Sequence, residues 1–166
     1  PPQPLSVLAH AFGNKGWNAS KGEDRYRRSV YTFVKRTAPF AGHMTFDGTS
    51  GENCLARRDR SNTPLQALTL LNDEMFLELA RAAGEEVHLQ KKDPVDALFR
   101  RFLTRPPSSE ETKDLQAYLD QQIERLKKGE LKSAEIVADK KATPELAGKV
   151  LLARSIMNLD EAITKP

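Results

Sequence analysis

Helix-start signals recur through the last two thirds of this chain, and they constrain its fold more than any other feature. Thr63-Pro64 is followed by Gln66, Asp93 by Pro94, Ser108 by Glu111, and Thr143 by Pro144. A Ser, Thr or Asp at the boundary accepts a hydrogen bond from an N–H that the first helical turn leaves unpaired. Proline at the next position loses nothing, because its missing N–H has no partner there anyway. Gln66 and Glu111 stand three residues after Thr63 and Ser108. Both pairs therefore fit a capping box, in which each side chain satisfies the other residue's backbone N–H. These signals predict helices starting at 64, 94, 109 and 144, and Asp73 caps a further segment running to about Leu89.

The apolar spacing agrees. Leu65, Leu68 and Leu71 or Asn72 continue one face of the first helix, and Phe76, Leu79, Ala80 and Ala83 point inward from the second. Leu98, Phe99 and Phe102 follow, and Pro106-Pro107 stops that helix. Leu115, Leu119, Ile123 and Leu126 line the next, which runs to about Lys128 before Gly129. Leu146, Val150, Ala153 and Met157 belong to the last. These stripes are read as core, with part of them available as a face for another domain. Residues 130–142 are charged and poor in apolar side chains, which predicts a loop or a frayed helix.

Residues 1–62 read differently. Gly13, Gly16, Gly22, Gly42, Gly48 and Gly51 fall here among Asn14, Asn18 and Asp47, a density of turn formers that predicts irregular structure. Tyr26, Val30, Phe33 and Val34 fit a helical stripe, yet the β-branched and aromatic run from Val30 to Val34 favours an extended strand. The extended form is preferred, and Pro39 ends the element either way. The expectation is a mainly α fold: one domain over 1–166, with an irregular basic segment at 1–62, room there for one short strand, and a helical part at 63–166.

Length and composition bound the function. The chain has 166 residues, 39% hydrophobic and 30% charged, ordinary for a globular domain with a core of its own. No apolar run approaches the ~20 residues a membrane span needs. The opening Pro1-Pro2-Gln3-Pro4 is not a signal peptide and reads as the start of an excised or processed piece. The single cysteine, Cys54, forbids an intrachain disulfide and a Cys-x-x-Cys-His haem attachment, so no cofactor is expected in this chain. Cys54 itself is read as a small, partly buried thiol. The net charge of +3 is uneven: residues 1–62 carry ten Lys or Arg against five Asp or Glu, and the rest sixteen against eighteen.

Few residues point to chemistry. His10, His43 and His88 lie on separate segments without metal-ligand spacing, so no metal site is assigned. Adjacent carboxylates such as Glu110-Glu111 suit a helix's first turn better than acid–base catalysis. The catalytic residues, if any, stay unknown. The arginines carry more. Arg25, Arg27, Arg28 and Arg36 flank Tyr26, Tyr31 and Phe33, and Arg57, Arg58 and Arg60 precede the helix at Pro64. Guanidinium groups beside a helix N-terminus favour anions, because the free N–H groups and the macrodipole add to their field. The candidate contact residues are therefore Arg27, Arg28, Arg36, Arg57, Arg58, Arg60, Thr63 and Gln66. The competing reading has the arginines bracing loops against carbonyls, Asp47 or Asp59. Aromatics here are too few for a nucleic-acid surface.

Several of these motifs together resemble a family. Tyr26-Arg27-Arg28-Ser29-Val30-Tyr31, Lys35-Arg36-Thr37-Ala38-Pro39, Phe46-Asp47 and the run from Arg57-Arg58 through Asp73 are similar to the C-terminal domain, of unknown function, of large planctomycete-type cytochrome c-associated proteins. Asn158-Leu159-Asp160-Glu161 resembles that domain's end, and the likeness spans most of 10–162. Glu74 stands where relatives often have proline. The resemblance implies an exported, extracytoplasmic setting behind upstream domains that include a cytochrome c-like module. It carries over no catalytic or ligand residue. Two functions follow as expectations. The first is a non-catalytic interaction or structural module, whose Arg-rich loop and helix start contact the upstream domains, an anion or an acidic polymer. The alternative is part of an extracytoplasmic enzyme of redox or polysaccharide metabolism, with a site completed upstream and His43, Asp47 and Cys54 as the residues to watch.

Overall fold

A computed structural model of the chain describes residues 2–3, 7, 17–35, 38–49, 51, 54, 56–57 and 59–164. It is helical, and no strand forms among the described residues. Among the described residues eight α-helices have defined bounds, in order: α1 (Ala41–Thr45), α2 (Pro64–Asn72), α3 (Glu74–Gln90), α4 (Pro94–Leu103), α5 (Ser109–Lys127), α6 (Ser133–Val137), α7 (Pro144–Met157) and α8 (Asp160–Ile163). Two compact units divide the chain, Pro1–Gln66 and Ala67–Pro166, with their boundary inside α2.

In the second unit the helix starts form as the sequence predicts. Asp73 accepts from Met75 N at 2.9 Å and Asp93 from Val95 N at 2.9 Å. Thr143 accepts from Leu146 N at 3.2 Å. Ser108 and Glu111 close a full capping box, with Glu111 N donating to Ser108 Oγ at 3.2 Å and Ser108 N to Glu111 Oε2 at 2.7 Å. The break at Asp73 is made without proline, with this cap at the head of α3.

The core of this unit is organised around α7, which packs against α3, α4, α5, α6 and α8. It buries Ala147, Gly148, Val150, Leu152, Ala153, Ile156 and Met157. These residues do not share one stripe. They surround the helix, as in any helix enclosed by others. From α4 come Val95, Leu98 and Phe99, all fully buried, and from α3 Ala80, Ala83 and Val87. Leu119 and Leu126 of α5 complete the cluster, with Leu115 and Ile123 half-buried beside them.

Two glycines set how closely the helices approach. A Cβ on Gly84 of α3 would lie 2.7 Å from Val150 Cγ2, 3.0 Å from Val150 N and 3.1 Å from Val150 Cα. A Cβ on Gly148 of α7 would lie 2.7 Å from Ile123 Cγ1 of α5. Polar brackets finish the packing. Arg154 donates to the Leu71 carbonyl at 2.7 Å, and Arg81 to the Ile136 carbonyl at 2.8 Å. Arg105 spans Glu111 at 2.7 Å and Glu161 at 2.6 Å, with its guanidinium 4.7 Å from the Phe99 ring centroid.

Three expectations are corrected here. Leu65 and Leu68 are 61% and 57% exposed, and α2 instead buries Gln66 and Leu70, so the leucine stripe is an outward face. Leu79 is likewise turned out while Ala80 and Ala83 go in: small side chains let α3 approach α7 where Leu79 would not fit. Residues 133–137 form the short helix α6, which places Val137 in the core despite the charged composition around it.

Candidate functional site

The first unit holds the residues that the sequence singles out, and one buried amide organises it. Gln66 is 1% exposed. Its Oε1 accepts from Thr63 N at 2.9 Å, and Gln66 N donates to Thr63 Oγ1 at 3.3 Å, which completes the capping box at the head of α2. Its Nε2 donates to the Thr45 carbonyl at 3.0 Å and to Ser61 Oγ at 2.9 Å, with Asp47 Oδ2 at 3.5 Å. Asp47 accepts in turn from Ser61 N at 2.8 Å and Ser61 Oγ at 2.7 Å. A buried amide is expensive to leave unpaired, so this closed set of bonds fixes the end of α1, the 59–63 strap and the start of α2 as one piece.

The turn after α1 is shaped for the same purpose. Gly48 N donates to the His43 carbonyl at 2.6 Å, and a Cβ on Gly48 would lie 2.4 Å from that oxygen. Asp47 adopts a left-handed φ of 56°, which carries its carboxylate toward Ser61. On the other side of α1, the Gln3 side chain donates to the Pro39 carbonyl and accepts from Ala41 N, both at 3.0 Å. Trp17 stacks on Phe40 at 5.9 Å, and Phe40 meets the His43 ring edge-on at 5.2 Å.

Around this frame the basic residues face solvent. Arg27, Arg28, Arg57 and Arg60 are all exposed. Arg27 pairs with Asp24 at 2.6 Å and lies 5.8 Å from the Tyr31 ring centroid. Arg36, Arg58 and His10 lie outside the described residues. Thr63 and Gln66, grouped with the arginines as contact residues, use their polar atoms inside the unit as the cap and bracket of α2. Cys54 is exposed rather than partly buried.

Of the run from Val30 to Val34 that sequence preference assigns to a strand, Val30 and Tyr31 lie instead in a 3-10 turn, Ser29–Tyr31, which a second such turn, Gly22–Tyr26, precedes. Thr32 beyond them is extended, at φ −72° and ψ 131°, but pairs with no second strand among the described residues. Propensity alone does not make a sheet; a strand needs a partner for its N–H and C=O groups. One consequence was invisible in the sequence. Val30, Tyr31, Phe33 and Val34 stand 76%, 63%, 70% and 66% exposed, between arginines.

The other sequence candidates are dispersed. His43 lies against Phe40 in the first unit, and His88 lies on α3 with its Nδ1 3.4 Å from Lys149 Nζ. Among the described residues no three of His, Cys, Asp or Glu converge to hold a metal ion. No helix among them is long and apolar enough to cross a membrane. Of the residues named for a catalytic alternative, Asp47 has both carboxylate oxygens engaged by Ser61.

The family model described as "PSD1: Protein of unknown function (DUF1553)" matches residues 1–119. That match takes in the whole first unit and ends within α5, so the closing 158–161 motif lies beyond it. No curated protein and no solved structure matches the chain. A match over this much of the sequence, carrying the arginine motifs, the 59–63 strap and the capped start of α2, makes the chain a member of the PSD1 family, a domain of unknown function.

Proposed function

We propose that this domain is a non-catalytic interaction module of an extracytoplasmic, multidomain, cytochrome c-associated protein, and that it contacts upstream domains through the basic surface of its first unit. The observation that carries this reading is the arrangement of Arg27, Arg28, Arg57 and Arg60. All four are exposed, on a unit whose own polar groups are tied together by Gln66, Asp47 and Ser61. A fixed frame presenting arginines loses little entropy on binding, and guanidinium groups suit carboxylate partners. The charge of the two halves supports it: the basic residues are in excess before residue 63 and the acidic ones after it. Ser61 Oγ already donates to Asp47 and accepts from Gln66, so it is a bracing group rather than a nucleophile.

The test is calorimetric titration of this domain against the separately expressed upstream part of its parent protein, at low and moderate salt. Salt-sensitive binding that weakens in the Arg57→Ala/Arg60→Ala double variant is the expected result. Unchanged binding in that variant, with unchanged stability, would remove the arginines from the reading.

A further inference from the structure

Exposed apolar side chains scattered singly are ordinary, but four large ones within five residues are not. Val30, Tyr31, Phe33 and Val34 are each more than 60% exposed. The cause is local. The two 3-10 turns leading into the strip have five and three residues and bury no side chain. Turns so short present no continuous inward face. Cations flank the strip in sequence: Lys21, Arg27 and Arg28, all exposed, and half-buried Arg25 and Lys35, against Glu23 and Asp24, the last of them paired with Arg27. Aromatic residues with arginine around an apolar centre are the composition of interface hot spots.

The charges and the valines select the occupant. A second copy of this chain, related by a two-fold axis, would bring the same cation-flanked strip to both sides of one interface and offer it no acidic rim. A bare anion or an acidic polymer would use the arginines but leave Val30 and Val34 without gain, since these side chains profit only from apolar burial. We propose that residues 26–34 are the docking strip for a protein surface with an apolar centre and an acidic rim. This rests on the interaction-module reading, which by itself requires only the arginines.

The experiment uses the intact chain and three probes: the separately expressed upstream part of the parent protein, poly-L-glutamate, and phosphatidylcholine vesicles containing phosphatidylglycerol. Titration calorimetry reports affinity. Trp17, the single tryptophan, reports the strip directly, because its ring centroid lies 6.4 Å from that of Phe33. Val30→Ser/Val34→Ser removes the apolar centre at exposed positions, and circular dichroism verifies that the fold is retained. The expected result is binding of the upstream part with a shift in Trp17 emission. The valine pair weakens that binding roughly tenfold to hundredfold at every salt concentration. Arg27→Glu/Arg28→Glu weakens it about tenfold at low salt and less at high salt. If the valine pair binds like the parent while Arg57→Ala/Arg60→Ala does not, the strip is not the dock and the interaction reading stands. If the upstream part does not bind at all, both fall. If polyglutamate or the vesicles bind with the same valine dependence, the partner is not a protein surface and the proposal is overturned.

Discussion

Replacing Gly84 with alanine tests the packing of the second unit through the sign of its effect. Within a helix such as α3, alanine is favoured over glycine by about 1 kcal/mol, because it loses less backbone entropy. Propensity alone therefore predicts a more stable protein. The structure predicts the opposite. Val150 Cγ2, at 2.7 Å from the new Cβ, can rotate away, but Val150 N at 3.0 Å and Cα at 3.1 Å are backbone. They clear the methyl only if α3 and α7 move apart by some tenths of an ångström. That movement loosens Ala80, Ala83, Val87, Ala147 and Ala153, all buried near zero exposure. Overpacking of this kind costs about 1–3 kcal/mol and exceeds the propensity gain by about 1 kcal/mol. For a protein of this size that lowers the melting temperature by about 2–4 °C. Far-UV circular dichroism during thermal and urea unfolding is the suitable assay, since it reads helix directly and the single tryptophan, Trp17, belongs to the first unit. Gly148→Ala is the control. Its Cβ meets only side-chain atoms of Ile123 and Leu119, and half-buried Ile123 can shift, so the two effects nearly cancel, to within about 1 kcal/mol. A Gly84→Ala variant as stable as the parent, or more so, would refute the close approach of α3 to α7.

Three further outcomes follow from the polar brackets. Gln66→Ala leaves the Thr45 carbonyl and Thr63 N without their partner and destabilises the first unit by about 2 kcal/mol, read from Trp17 fluorescence in urea; Gln66→Glu is worse, because it turns a carboxylate toward Asp47 and a carbonyl. Glu111 is held at about 2, below the usual carboxylate range, by the hydrogen bond from Arg105 and then by that from Ser108 N. Between its folded and unfolded values the unfolded chain binds more protons, so this contribution is present at neutral pH and is lost as pH falls toward 2. The effect is modest because the pair is partly solvated. Urea midpoints measured from pH 6 to pH 2 fall less steeply in Glu111→Gln. Ser108→Ala removes the cap of α5 and costs about 1 kcal/mol, measured by the same urea titration at neutral pH.

Much of the second unit was legible in the sequence because caps are local. Asp73, Asp93, Ser108 and Thr143 act on N–H groups two or three residues away, and no distant residue is needed to recognise them. The core stripe of α5 is legible for the same reason, since its period alone turns Leu119 and Leu126 inward. The stripe of α2 misleads. Leu65 and Leu68 keep helical spacing, yet the polar Gln66 takes the inward position, because three acceptors and one donor meet it there. The strip at 30–34 misleads as well: its residues prefer a strand, but nothing in the described chain pairs with them.

The sequence by itself determined where helices begin, that the fold is helical, and that charge is concentrated toward one end, since each depends on neighbours along the chain or on composition. Only the tertiary structure decided that α7 lies at the centre, that Gly84 and Gly148 mark the close contacts, and that Gln66 is a buried bracket. It likewise decided that four apolar side chains between arginines face solvent. Each of those depends on which atoms from distant parts of the chain arrive at the same place, and burial and hydrogen bonding are properties of that meeting rather than of any single segment.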